Sequence, residues 1–202
     1  MFKYQHINIS NIITELETGD LILFSSYNFN LFNRVFSNLR FSHVGMVINE
    51  NNNLFSIELM ENDYVYPNSK QYPNVNIFNL IDRITHYPGF VYICKYNSKI
   101  SELQKNDIYN FINISDIKYS PFYDNAKKII LNKNITNSKH CVEFISLLLQ
   151  KMKIYNFSNI HKINLMHELV KICNGKIYSE PIRVIVKQNN LNEYKQLYKN
   201  YC

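Results

Sequence analysis

The chain has no tryptophan, and only four of its 202 residues are glycine and five are proline. So little glycine and proline leaves no composition for a flexible linker, and no repeat or low-complexity tract interrupts the sequence. The four cysteines, Cys94, Cys141, Cys173 and Cys202, include no C-x-x-C pair. No histidine stands near them at zinc-finger spacing, so neither a zinc site nor a disulfide framework is indicated. No apolar window approaches the roughly 18 residues that span a membrane. The N-terminus "MFKYQHINISNIITELETGD" also lacks the uninterrupted apolar core of a signal peptide. Together these absences favour a reducing compartment, the cytoplasm in the simplest case. Basic blocks are missing too. The net charge is +6, yet the lysines are scattered, as in "KNDIYN" and "AKKII". That pattern argues against a nucleic-acid arm and for a solvated surface, with at most weak attraction to phosphates or peripheral contact with anionic lipid.

What is abundant is Asn, Ile, Lys and Tyr, a bias that fits an AT-rich genome such as that of a large DNA virus, a parasite or a low-GC bacterium. The length suits a single domain able to bury a real core. "NISNIITEL" carries apolar residues at helical spacing behind Asn8 or Ser10 as caps, and "TGD" breaks it. "LILFSS" reads as a buried strand, and "NFNLFNRVFSNLR" places Leu31, Phe32, Val35, Phe36 and Leu39 on one helical face. "HVGMVI" and "LFSIEL", separated by the polar "NENNN", form an expected antiparallel hairpin. "DYVYP" continues the sheet and "FVYICKY" adds a strand. Helices are expected at Ser101–Ile114, capped by Ser101, at "KHCVEFISLLLQKM", capped by Asn137 or Ser138, and at "NLMHELVKICNG", stopped by Gly175. "IRVIVK" is a last strand, and residues 188–202 form a polar helical tail. Strands first, helices later and a strand returning near the end imply an α+β fold with a mostly antiparallel sheet.

Three residues suggest chemistry. Cys141 falls in the first turn of its helix, where free backbone N–H groups and the helix dipole favour a thiolate over a thiol. Position alone favours a buried structural cysteine, because cysteines are commonly buried and helix starts are common. His43 interrupts the apolar run "FSHVGMVI" and shares a strand face with Gly45 and Val47, while Val44, Met46 and Ile48 take the other. Gly45, with no side chain, leaves room beside the histidine for a packed helix or a substrate. Glu58, on the paired strand, can sit next to His43 and accept from its ring, which fixes the tautomer. Glu61 competes for that place. His140 adjoins Cys141, but neighbours on a helix point about 100° apart, so it serves the cleft mouth rather than the sulfur. His6, His86, His161 and His167 have no partner pattern, and no metal or other cofactor is assigned.

The succession of "TGDLILF", "FSHVGMVI", "FSIELMEN", "FYDNAKK" and "KHCVEFI" resembles the circularly permuted branch of the NlpC-like papain-fold superfamily. That branch holds YiiX-like proteins, poxvirus homologues and relatives of lecithin–retinol acyltransferase. In it the histidine strand precedes the cysteine helix, as here. The resemblance covers residues 14–187 and implies one permuted papain-like domain over 1–202, its mostly antiparallel sheet packed against a nucleophile-bearing helix. It also implies site roles. Cys141 matches the nucleophile, His43 the base, Glu58 the polar orienting residue, and Gly19-Asp20 the strand-opening turn. Tyr123 and Asp124 match a pair lining the cleft. Val142 stands where YiiX-like members usually carry a small residue, and its N–H belongs to the oxyanion hole.

The implied activity is a thiol hydrolase or acyltransferase acting on an amide, ester or thioester through an acyl-enzyme. Its substrate would be an acyl, lipid or peptide-amide compound rather than peptidoglycan. The alternative is a catalytically silent papain-like binding module in a viral or host-interacting complex. A basic nucleic-acid binder would rest on net charge alone.

Overall fold

The computed structural model describes residues 5–26, 41–60, 70–72, 75–114, 118–119, 138–139, 141–157 and 165–186. The expected helix at "NFNLFNRVFSNLR", the strand at "DYVYP", and the tail over 188–202 lie outside these residues, as do Glu61, Tyr123, Asp124, His140 and His161.

The chain begins with strand β1 (His6–Asn8) and the short helix α1 (Ile9–Ile12), which continues as a 3-10 turn to Glu15. The Asn8 side chain caps α1 by accepting from the Ser10 N–H at 3.3 Å. Strands β2 (Leu21–Ser26), β3 (His43–Glu50) and β4 (Asn53–Leu59) follow. The β3–β4 hairpin turns on Asn51 and Asn52, whose φ angles are +52° and +67°. A two-residue turn with both φ positive matches the twist of antiparallel strands, and Asn is among the few residues tolerating it.

Next come β5 (Lys70–Tyr72), β6 (Val75–Asn79), helix α2 (Leu80–His86) and β7 (Gly89–Cys94). Helix α3 (Glu102–Ile114) opens on a capping box. There the Ser101 hydroxyl accepts from the Gln104 N–H at 3.3 Å, while Gln104 Oε1 accepts from the Ser101 N–H at 2.9 Å. The two-residue strands β8 (Lys118–Tyr119) and β9 (Ser138–Lys139) pair parallel with each other. Helices α4 (Cys141–Lys151) and α5 (Leu165–Ile172) and strand β10 (Ile182–Ile185) complete the described elements. Helix α5 stops at Ile172, so Gly175 is not its C′ residue as expected; at φ +87° it sits in the turn that follows and donates its N–H to the Tyr178 carbonyl at 2.7 Å.

Eight strands form one sheet in the order β1-β10-β7-β2-β3-β4-β6-β5. All its pairings are antiparallel except β1 with β10. The fold is α+β, and both faces of the sheet are covered. Leu21, Leu23, Val44, Met46, Ile48 and Ile57 face α3, α4 and α5, while Ile22, Phe24, Val47, Val91 and Ile93 face α1 and α2. The expected core positions Phe144, Ile145, Leu148 and Leu149 of α4, and Met152 just past its end, are all buried. Truncating one of these leucines to alanine in so tight an interior costs about 2–5 kcal/mol. No helix among the described residues is long and apolar enough to cross a membrane.

Two further sequence expectations need correction. Ser138 does not cap α4, because it lies in β9 opposite Lys118, and α4 starts at Cys141 itself. Helix α4 also packs on the Val44–Met46–Ile48 face rather than on the face of Gly45. The space above Gly45 is occupied by neither helix nor opening: a Cβ placed there would meet Glu58 Cγ at 2.7 Å and the Ile57 carbonyl at 3.1 Å.

Candidate functional site

His43 is the first residue of β3, paired across to Phe24 of β2. The preceding Ser42 donates its N–H to the Phe24 carbonyl at 2.8 Å and places its hydroxyl 3.4 Å from the Tyr87 hydroxyl. The imidazole leans on the Phe24 ring, with centroids 5.4 Å apart. Because His43 begins its strand and Cys141 begins its helix, the two meet at the ends of their elements. This is how a helix on one face of the sheet reaches a side chain from the other.

Glu58 comes from the register of the hairpin. With Met46 opposite Ile57, Glu58 falls alongside Gly45 and projects on the face of His43. Its Oε2 lies 2.7 Å from His43 Nε2. The carboxylate is fully buried, and it is surrounded by donors. Ser56 donates its hydroxyl to Oε1 at 2.8 Å, and Arg83 of α2 donates Nε to Oε1 at 2.9 Å and Nη2 to Oε2 at 2.8 Å. The Arg83 guanidinium lies in turn over the Phe24 ring, 4.6 Å from its centroid.

These contacts set the protonation states. Burial alone would push the Glu58 carboxyl up. The Arg83 charge and the hydrogen bonds from His43 and Arg83 overcome that and bring it down to about 2. Burial likewise pulls the His43 imidazole down, but the charge and hydrogen bond of the Cys141 sulfur, with those of Glu58, raise it to about 9. With Nε2 committed to Glu58, Nδ1 is the ring nitrogen left for Cys141. An imidazole held in this way can take a thiol proton and keep it as imidazolium.

Cys141 is 8% exposed, and Val142 after it is also buried. As the first residues of α4, both carry N–H groups without an acceptor inside the helix. The structure therefore brings Cys141, His43 and Glu58 together, with Val142 adjoining. Gly19 and Asp20 stand elsewhere, at the start of β2. Gly19 adopts φ +100°, and Asp20 accepts from the Glu17 N–H at 3.0 Å and the Tyr96 N–H at 2.7 Å. They tie the β2 turn to the strand-β7 exit, a structural task.

Arg83 and Ser56 were not singled out from the sequence. A signal for Arg83 existed: "NLIDRITHYPG" has a capping Asn79 whose side chain accepts from the Asp82 N–H at 3.1 Å, followed by the apolar pair Leu80 and Ile84. Only four of the 22 basic residues are arginine, and an arginine between two core positions suits a buried bidentate partner.

Fold and site together define an α+β protein in which a helix-start cysteine, a strand-start histidine, a buried glutamate and a buried arginine follow one another in contact. No protein-family model matches the chain, and no curated protein matches it. Among solved structures, the chain is similar to the crystal structure of the metalloprotein YiiX from Escherichia coli O157:H7. The two share 17% identity, over 85% of this chain and 89% of that one, with a TM-score of 0.46. Among the described residues of the present chain, no group of three or more His, Cys, Asp or Glu side chains is placed to hold a metal ion.

Proposed function

We propose that the protein is a cysteine-dependent hydrolase or acyltransferase of the permuted papain-like kind, with Cys141 as nucleophile, His43 as base and Glu58 as the residue that orients the ring. The observation that carries this reading is the imidazole of His43 standing between Cys141 and Glu58, hydrogen-bonded to each. A binding module has no need of that arrangement.

In the proposed reaction His43 Nδ1 takes the Cys141 proton, and the thiolate attacks the carbonyl carbon of an amide, ester or thioester. A C–S bond forms, and the electron pair of the C=O moves to oxygen. The N–H groups at the start of α4, those of Cys141 and Val142, stabilise that oxyanion. As the tetrahedral species collapses, the leaving group departs with the proton from His43. Water, or a hydroxyl or amine acceptor, then gives its proton to His43 and attacks the acyl carbon. The C–S bond breaks and the sulfur is restored. Acyl, lipid and amide compounds are the proposed substrate class, with Tyr123, Asp124 and His140 as proposed cleft residues.

The test is labelling by an electrophilic acyl probe near pH 7, read by mass spectrometry at the Cys141 peptide, together with hydrolysis of a panel of activated esters and thioesters. Wild type should label and turn over, whereas Cys141→Ala should do neither. Equal turnover by the two would overturn the nucleophile assignment. A folded wild type that neither labels nor turns over any of the panel would favour the binding-module reading instead.

A further inference from the structure

Arg83 of α2 grips the same carboxylate as the imidazole and is 3% exposed. Its Nε meets both carboxylate oxygens, at 2.9 and 3.1 Å, and its Nη2 meets Oε2 at 2.8 Å. Oε2 is the oxygen that also faces His43 Nε2. The guanidinium is fixed sideways by aromatic rings, Phe24 at 4.6 Å and Phe78 and Tyr87 at 5.3 Å.

A carboxyl group as buried as Glu58 ordinarily prefers to keep its proton. Protonated, it would donate to Nε2 and drive the ring proton to Nδ1. The imidazole would then present an N–H to the sulfur and could not accept a proton from it. Ionised, Glu58 accepts from Nε2–H and leaves the Nδ1 lone pair directed at Cys141. We propose that Arg83 is a positioning residue that keeps Glu58 ionised and aimed at Nε2, and so selects the His43 tautomer able to deprotonate Cys141. This rests on the reading of Cys141 and His43 given above and adds its electrostatic anchor.

Charge counting supports the assignment. Among the described residues, the groups facing His43 are Cys141 from α4 and Glu58 from β4, and those facing Glu58 are His43 from β3 and Arg83 from α2. In the reactive state the line Cys141, His43, Glu58, Arg83 carries minus, plus, minus, plus, and sums to zero. Without Arg83 the remaining three sum to minus one in a buried place. The group then takes up a proton, at Glu58 or at the sulfur, and either uptake moves thiolate formation to higher pH.

The experiment is the rate of iodoacetamide alkylation at the Cys141 peptide against pH, on the full chain, with thermal unfolding measured alongside. Wild type should titrate well below the roughly 8.5 of a free cysteine. Arg83→Met should raise that midpoint by at least one pH unit and slow alkylation at pH 7 about tenfold or more. Arg83→Lys, which keeps the charge but not the two-pronged grip, should fall between and guards against loss of fold in the methionine variant. In a Glu58→Gln background, Arg83→Met should move the midpoint no further, because Arg83 acts through Glu58. A lowered melting temperature with an unmoved midpoint in Arg83→Lys and in folded Arg83→Met would overturn the positioning role while leaving the nucleophile assignment intact. A wild-type midpoint at the free-cysteine value would overturn both.

Discussion

The Glu58 side chain lies across Gly45, so close that a Cβ on residue 45 would stand 2.7 Å from Glu58 Cγ. This glycine is required by what its neighbour on β4 must do. Glu58 cannot swing aside, because Ser56, Arg83 and His43 hold both of its oxygens. Gly45→Ala should therefore push the carboxylate off His43 Nε2 and cost about 1–3 kcal/mol of stability as overpacking. Turnover should fall further than stability does, by tenfold or more at a temperature where the variant stays folded. Urea unfolding beside ester hydrolysis checks this, and an alanine variant with wild-type turnover would show that the Glu58 contact with the ring is dispensable.

His43 supplies a pH prediction with a definite sign. Its imidazole is raised to about 9, chiefly by the Cys141 sulfur acting against the effect of burial. A histidine raised in the folded state adds stability that is complete below its unfolded value near 6.5 and is lost as pH rises through about 9. The same loss removes the proton meant for the leaving group. The kcat/KM for an amide should thus decline above about pH 9, while alkylation of Cys141, which needs only the thiolate, should not. In Cys141→Ala the ring loses its largest raising influence, so its pKa, followed by NMR of labelled histidine, should drop. An unchanged value would mean that the sulfur and ring do not interact in solution.

The legibility of the chain follows the range of the interactions involved. Strand β2 spans Leu21–Ser26 as its apolar run suggests, and Ser101 caps α3, because a run and a cap are each local. The α4 core face was visible for the same reason, in the three-and-four spacing of Phe144, Ile145, Leu148 and Leu149. The pairing of Ser138 is not legible locally, because its strand partner Lys118 is distant in sequence and a serine before a helix looks like a cap whether or not it pairs elsewhere. Helix α2 went unassigned because it is seven residues long and follows β6 directly. With it went Arg83, whose contact with Glu58 spans 25 positions. The missing side chain at Gly45 is legible in the sequence, but which neighbour fills its place depends on hairpin register and on which face α4 covers.

The hairpin itself offers a test of local chemistry. Asn52, at φ +67°, occupies a conformation that branched side chains avoid. Asn52→Gly should be neutral or slightly stabilising, whereas Asn52→Val should cost about 1–2 kcal/mol or more. Because β3 and β4 carry His43 and Glu58, the valine variant should also lose turnover. Equal stabilities of the two variants in urea would contradict the positive φ.

Asp20 should give the chain a second pH dependence, opposite in origin to that of Glu58. Burial raises its carboxyl to about 6, against the pull of the Glu17 and Tyr96 N–H groups and of Lys95. A carboxyl whose folded value lies above its unfolded one, near 3.9, binds its proton more tightly when folded. Its contribution is complete below about pH 4 and is lost as pH rises through about 6, on the order of 2–3 kcal/mol at most. Asp20→Asn keeps an oxygen for the Tyr96 N–H but has no proton to exchange. The stability difference between wild type and this variant should therefore change across pH 4 to 7, in favour of wild type at the acid end, and level off above. Urea unfolding at half-unit steps measures it, and Glu58 and His43 cancel in the difference because both proteins carry them. A constant offset across the range would show Asp20 to be ionised throughout, its two backbone hydrogen bonds outweighing its burial.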